Sequence, residues 1–173
     1  MEPMLFQNLS HPQMDFEEVF AHITSFMKEE PLGRYKLMLG TDSQIHSDHT
    51  LFITGIVIHR VGKGAWACYH KEIVPRAMKV LHERISYETS LTVDVASYFT
   101  KEKIDQLIEI VLPHIYQNAS FTIEGHIDIG AGERNRTRAY VNEMVARIES
   151  LGFEPKIKPE SITASSYANK YTK

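Results

Sequence analysis

KLMLGTDSQ, Lys36 to Gln44, is the stretch on which the fold turns. Leu37, Met38 and Leu39 form an apolar run that reaches Gly40 and ends on Asp42. A run this short, bounded by turn-forming residues, reads as a buried strand. A carboxylate at the end of a buried strand is costly unless a cation or a donor meets it. The stretch alone leaves two readings of Asp42 open, a loop residue facing water or a ligand. The neighbouring stretches have to decide between them.

Downstream, the polar turn SQIHSDH leads to LFITGIVIHR, rich in β-branched residues, and a Gly62-Lys63-Gly64 turn leads to AWACYHKEIV, closed by Pro75. The expectation is three strands joined as an antiparallel meander. Upstream, residues 1–14 carry no clear period and read as an irregular arm. From Asp15, the positions Phe16, Val19, Phe20, Ile23, Phe26 and Met27 recur at helical spacing, and Asp15 with Glu18 forms a capping pair. This N-terminal arm and helix, residues 1–34, are expected to pack on a main domain over residues 35–173. A homodimer contact is the other use open to the helix's apolar face.

Residues 79–99 read as the most informative helix. At ~100° per residue, Leu81, Ile85, Leu91, Thr92, Val95 and Phe99 fall on one stripe, within roughly 60° of Glu88. Glu83 and Asp94 fall on the solvent side. Glu88 therefore needs a partner inside the protein, either an internal salt bridge, with Arg84 one turn earlier, or a bound cation. A second helix follows Thr100, carried by Ile104, Leu107, Ile108 and Val111 and disturbed by Pro113. SFTIEGHIDIG then reads as a strand whose alternation places Phe121, Ile123, Gly125, Ile127 and Ile129 on one face and Thr122, Glu124, His126 and Asp128 on the other. Glu124 reads as a polar-face or edge residue and His126 as a hydrogen-bonded structural histidine. Asp128, like Asp42, reads as standing at a strand end within two residues of a glycine, Gly130 for Asp128 and Gly40 for Asp42.

GAGERNRTR leads into a helix faced by Tyr140, Val141, Met144, Val145 and Ile148, with Arg134, Arg136 and Arg138 crowding its first turn. Arginines there oppose the helix dipole unless an anion is bound, so a phosphate contact and a solvated basic loop both remain open. FEPKIKP reads as a short strand ended by Pro159, and a last helix is expected from Ser161 through Asn169.

The totals bound the function. A chain of 173 residues with 43% hydrophobic content is expected to form one compact domain burying roughly 70% of its unfolded surface. No apolar segment approaches the ~20 residues of a membrane span, and the N-terminus lacks a signal-peptide pattern, so a cytoplasmic location is expected. Cys68 is the single cysteine, which leaves no internal disulfide and no cysteine-based zinc site. The formal charge of −3 argues against nucleic-acid binding by bulk charge. Residues 131–173, however, hold 8 Lys/Arg against 5 Asp/Glu, the place for a phosphate-rich partner. His46 and His49, three apart in a polar turn, make a weak zinc pair without an obvious third ligand.

Asp42, Glu88 and Asp128 are thus three scattered acids at a strand end, in a buried helical stripe and at a second strand end, a pattern that suits a hard divalent cation. At this point the chain resembles a known family. The order of elements and acids is similar to the ribonuclease H-like fold, and GTDSQ, RISYETS, HIDIG and IKPESITASSYANK resemble phrases of the bacterial YkuK-like family within it. The resemblance covers about residues 35–173.

It implies an α/β fold, a mixed five-stranded sheet of a three-strand antiparallel meander plus two further strands, flanked by helices. It also implies a nuclease that cuts phosphodiester bonds with two Mg²⁺ or Mn²⁺ ions, held by Asp42, Glu88 and Asp128. One ion would activate water and the other would stabilise the leaving oxygen. Nucleic acid is the implied partner, as RNA, an RNA/DNA hybrid or DNA, with Arg134, Arg136, Arg138 and Lys158 to neutralise its phosphates. One departure stands out. The fourth ligand position of such nucleases matches Asn169, where Asp is expected, so a second metal would be held less firmly unless Glu160 substitutes. A nucleic-acid-binding module with a decayed site is the competing reading. An actin-like ATPase would need a second lobe.

Overall fold

A computed structural model of the chain describes residues 3–129, 138–158, 160, 161 and 167, with the main chain only at 138 and 139. The first helix, α1 (Phe16–Glu29), begins where the capping pair puts it. The Asp15 carboxylate accepts from the Glu18 amide at 2.8 Å, and Glu18 Oε1 accepts from the Asp15 amide at 3.4 Å. Such a cap contributes about 1 kcal/mol. Phe16, Val19, Phe20, Ile23 and Met27 are buried and join the main core. A dimer contact on α1 would therefore have to use its polar outer side. The preceding arm is irregular in outline but pinned: Phe6 pairs with Met14 and Gln7 with Tyr69, and Phe6 and Met14 are fully buried.

Five strands form the sheet: β1 (Arg34–Ile45), β2 (Thr50–Arg60), β3 (Ala65–Val74), β4 (Ser120–Ile127) and β5 (Glu154–Ile157), in the order β3-β2-β1-β4-β5. The first three make the antiparallel meander, β4 lies parallel to β1 and β5 parallel to β4. Gly62 and Gly64 take φ of 81° and 94° in the turn between β2 and β3, a left-handed backbone that glycine adopts without strain.

Between β3 and β4 lie α2 (Leu81–Ala96), α3 (Lys101–Val111) and a short 3₁₀ helix (Leu112–Gln117). α2 is shorter than the expected 79–99. Val80 is extended and offers no capping side chain, and Thr100 is extended (ψ 165°) because it caps α3 through a bond from the Lys103 amide. Pro113 cannot donate to a continuing α-helix, and the chain tightens into the 3₁₀ turns instead. The helix α4 (Arg138–Glu149) leads into β5.

The helices described share one face of the sheet. Leu37, Leu39, Ile56, Ile58, Cys68 and Ile127 pack there with Ile85 and Val95 of α2, Leu107 of α3 and Met144 and Ile148 of α4. Arg147 fastens α4 to α2 through Ser90 Oγ at 2.7 Å and Ser86 Oγ at 3.3 Å. The opposite face buries Met38 and Val57 against Ala67 and Tyr167. Among the described residues, no helix is long and apolar enough to cross a membrane.

Candidate functional site

Strand alternation separates the residues of GTDSQ. Thr41 and Ser43 point to the helical face, where the Thr41 hydroxyl meets Thr54 at 2.9 Å and Thr92 of α2 at 2.8 Å. One turn earlier on α2, the Glu88 carboxylate accepts a short hydrogen bond from the Ser43 hydroxyl. Asp42 lies between them in sequence and alternates to the other side of β1, yet stays close enough for its charge to reach Glu88.

On that other face the register makes a row. β1 and β4 pair as Gly40 with His126, and β4 and β5 as His126 with Lys156. Two residues further along each strand, the same register sets Asp42 beside Asp128 and Asp128 beside Lys158. The side chains agree: the Asp42 and Asp128 carboxyls lie close enough to share a proton, and Lys158 Nζ stands 2.7 Å from Asp128 Oδ1. On the other flank Asp42 pairs with Ile53, and Ile53 with the exposed Lys71 of β3. The row thus runs Lys71, Ile53, Asp42, Asp128, Lys158, just past the last β1–β4 pair, Gly40 with His126, and past the carboxyl end of β4; Asp42 does not end its own strand as expected, since β1 runs on to Ile45 along β2. Ligands of open α/β sheets gather at such strand ends.

The electrostatics show how crowded the acids are. Burial, and after it the neighbouring Asp42 carboxyl, raise the Asp128 carboxyl to about 6 against the opposing pull of Lys158. Burial holds the Glu88 carboxyl well above the ordinary range; the Ser43 hydrogen bond opposes this, and the charges of Asp128 and Asp42 add to it. Arg84, the sequence's candidate partner for Glu88, acts only as a weaker distant charge.

Several expectations meet the structure here. Glu83 and Asp94 are exposed and Glu88 is buried, as the helical stripe requires. Glu124 lies on the polar face of β4 but not at an edge: it is buried, and its Oε1 lies 3.0 Å from His126 Nε2, while His126 Nδ1 lies 3.0 Å from the Ser161 carbonyl. His46 and His49 stack face to face at 4.4 Å in the turn between β1 and β2. Arg138 opens α4, with its side chain outside the described residues; Arg134, Arg136 and Asn169 lie outside them altogether, as does nearly all of the last helix. Ser43 and Lys71 carried no role in the sequence reading. The signal available for both was the period of two, which sets Ser43 opposite Asp42 and needs the β2–β3 register to bring Lys71 into line.

Among the described residues, no group of three His, Cys, Asp or Glu side chains is arranged to hold a metal ion. Two are brought together instead, with Glu88 turned to Ser43 beside them. The donor set nevertheless suits Mg²⁺ or Mn²⁺, which take hard oxygens and, for Mg²⁺, usually one or two carboxylates with water and phosphate completing the shell. Asp128 Oδ1 is the telling atom. It is cut off from solvent and, although Lys158 Nζ is close enough for an ion pair, it receives no well-directed hydrogen bond.

The fold and this pair of carboxylates define a ribonuclease H-like protein, and the chain belongs to that family: the ribonuclease H-like family model matches residues 18–173. A relative from Bacillus subtilis (strain 168), the uncharacterized protein YkuK, is 41% identical over 172 residues, spanning 99% of both chains. No solved structure matches the chain.

Proposed function

We propose that this chain is a metal-dependent nuclease of the ribonuclease H-like family, acting in the cytoplasm on RNA or an RNA/DNA hybrid in preference to DNA. The observation that carries the reading is the Asp42–Asp128 pair, two carboxyl groups brought together on adjacent strands just past the last parallel β1–β4 pair. Carboxylates forced together need a shared proton or a cation. Asp42 and Asp128 are assigned as ligands of Mg²⁺ or Mn²⁺, with Glu88 as the third, swinging from or acting beside Ser43. Bound divalent cations would supply the water activation and charge stabilisation that phosphodiester hydrolysis needs near neutral pH.

The remaining residues position the substrate. Lys71 and Lys158 bracket the aspartates, and the sequence adds Arg134, Arg136 and Arg138 in its basic C-terminal quarter. These cations suit the phosphates of a nucleic-acid strand, contacts that set orientation without reading sequence. Purified protein should cut RNA or a hybrid with Mn²⁺ or Mg²⁺, and Asp42→Asn should abolish cutting. Cutting that survives Asp42→Asn would come from a contaminant.

Asn169, where the family pattern expects an acid, favours a second reading, a binding module whose site no longer turns over. That reading expects salt-dependent binding of nucleic acid without cleavage. Asn169→Asp separates the two: a gain of cleavage supports a weakened enzyme, and continued inactivity alongside intact binding supports the module.

A further inference from the structure

Resting on the nuclease reading above, we infer that Lys158 is a resident cation of the site: its ammonium takes the place of one metal ion, so that Asp42, Asp128 and Glu88 complete their charge with a single divalent ion. Lys158 is not a passing surface lysine. It follows β5 directly, its amide donates to the Ile129 carbonyl at 3.2 Å, and the β4–β5 register sets it beside Asp128. Its Nζ stands 2.7 Å from Asp128 Oδ1, the buried oxygen that receives no well-directed hydrogen bond. The side chain is 44% exposed and that of Asp128 14%, so the ammonium sits at the mouth of the site, where a phosphate would arrive.

The charges support the same assignment. Three carboxylates carry three negative charges, and one divalent ion with one ammonium carries three positive. Two divalent ions beside Lys158 would leave the centre strongly positive. Asn169, being neutral, adds no charge that would hold a second ion, and Glu160, the other acid open to that role, is exposed. A lysine ammonium is a compact point charge. Tethered by β5, it offers that charge to the scissile phosphate without having to be bound from solution.

The test is Mn²⁺ titration of the full chain without nucleic acid, followed by calorimetry and by electron paramagnetic resonance. The wild type should bind one ion per chain, Lys158→Arg one, and Lys158→Met two. In EDTA, Lys158→Met should melt lower than the wild type by about 2–4 °C, the size expected for losing a half-exposed ion pair in a domain of this length. Mn²⁺ should recover that loss. Two ions on the wild type, or one ion on both wild type and Lys158→Met, overturns the inference and leaves the nuclease reading standing. No ion on the wild type overturns both. Should Lys158→Met misfold, Lys158→Gln, which keeps length and polarity, carries the same comparison.

Discussion

Glu88 shows what a single residue can say about a site. A carboxyl buried in α2 with one hydroxyl donor, and two further acids near enough to raise it, is in poor surroundings for a charge. If its purpose were structural, an uncharged side chain of the same shape would serve as well or better. Glu88→Gln keeps an acceptor for the Ser43 hydroxyl and removes the charge. We expect its melting temperature in EDTA to equal or exceed that of the wild type, because burying an unpaired charge is unfavourable. We expect Mn²⁺-dependent cleavage to be lost. A Glu88→Gln chain less stable by about 1–3 kcal/mol, the cost of disrupting a buried polar contact, would show instead that the carboxylate belongs to the core.

Among the elements, the contact of β4 with α4 is the tightest check on how the sheet meets its helices. A Cβ added at Gly125 would stand 2.6 Å from Ile148 Cγ2 and 3.1 Å from its Cδ1. Gly125→Ala is therefore expected to destabilise the protein by about 1–3 kcal/mol in urea unfolding, the range for overpacking a core. Combined with Ile148→Ala it should cost less than the two single changes together, since the clash disappears with the side chain. Sequence periodicity reached this far and no further. The period of two placed Gly125 on the core face of its strand, and the helical stripe placed Glu88 inward, because both follow from one element's own geometry. Glu88's bond to Ser43 and the row from Asp42 to Lys158 depend on which strands neighbour which. β5 has only four residues, and β4 pairs with β1 across more than seventy positions of chain, so neither register is written locally. The buried Phe6 and Met14 escaped for the same reason: their arm has no period, and tertiary pairing alone pins it.

For the whole molecule, proton and metal compete for one carboxylate cluster, and stability should record the competition. Asp128 is raised to about 6 by burial and by the neighbouring Asp42 carboxyl, so the folded chain binds that proton more tightly than the unfolded chain does. The sign follows: in the absence of metal the contribution is favourable below the unfolded carboxylate's value, near 4, and is lost as pH rises through about 6. Glu88, raised well above its usual range by burial, extends the same trend to higher pH. A divalent cation reverses the slope, since it binds the folded site only when the protons have left. Melting curves in EDTA should fall from about pH 4 to about pH 6 relative to Asp128→Asn, whose curve loses that step. Mn²⁺ should raise the wild-type melting temperature little near pH 4 and most above pH 6. Protection by Mn²⁺ that is equal at all pH values, or that survives Asp128→Asn, would place the ion away from these acids and remove the basis for the metal-dependent reading.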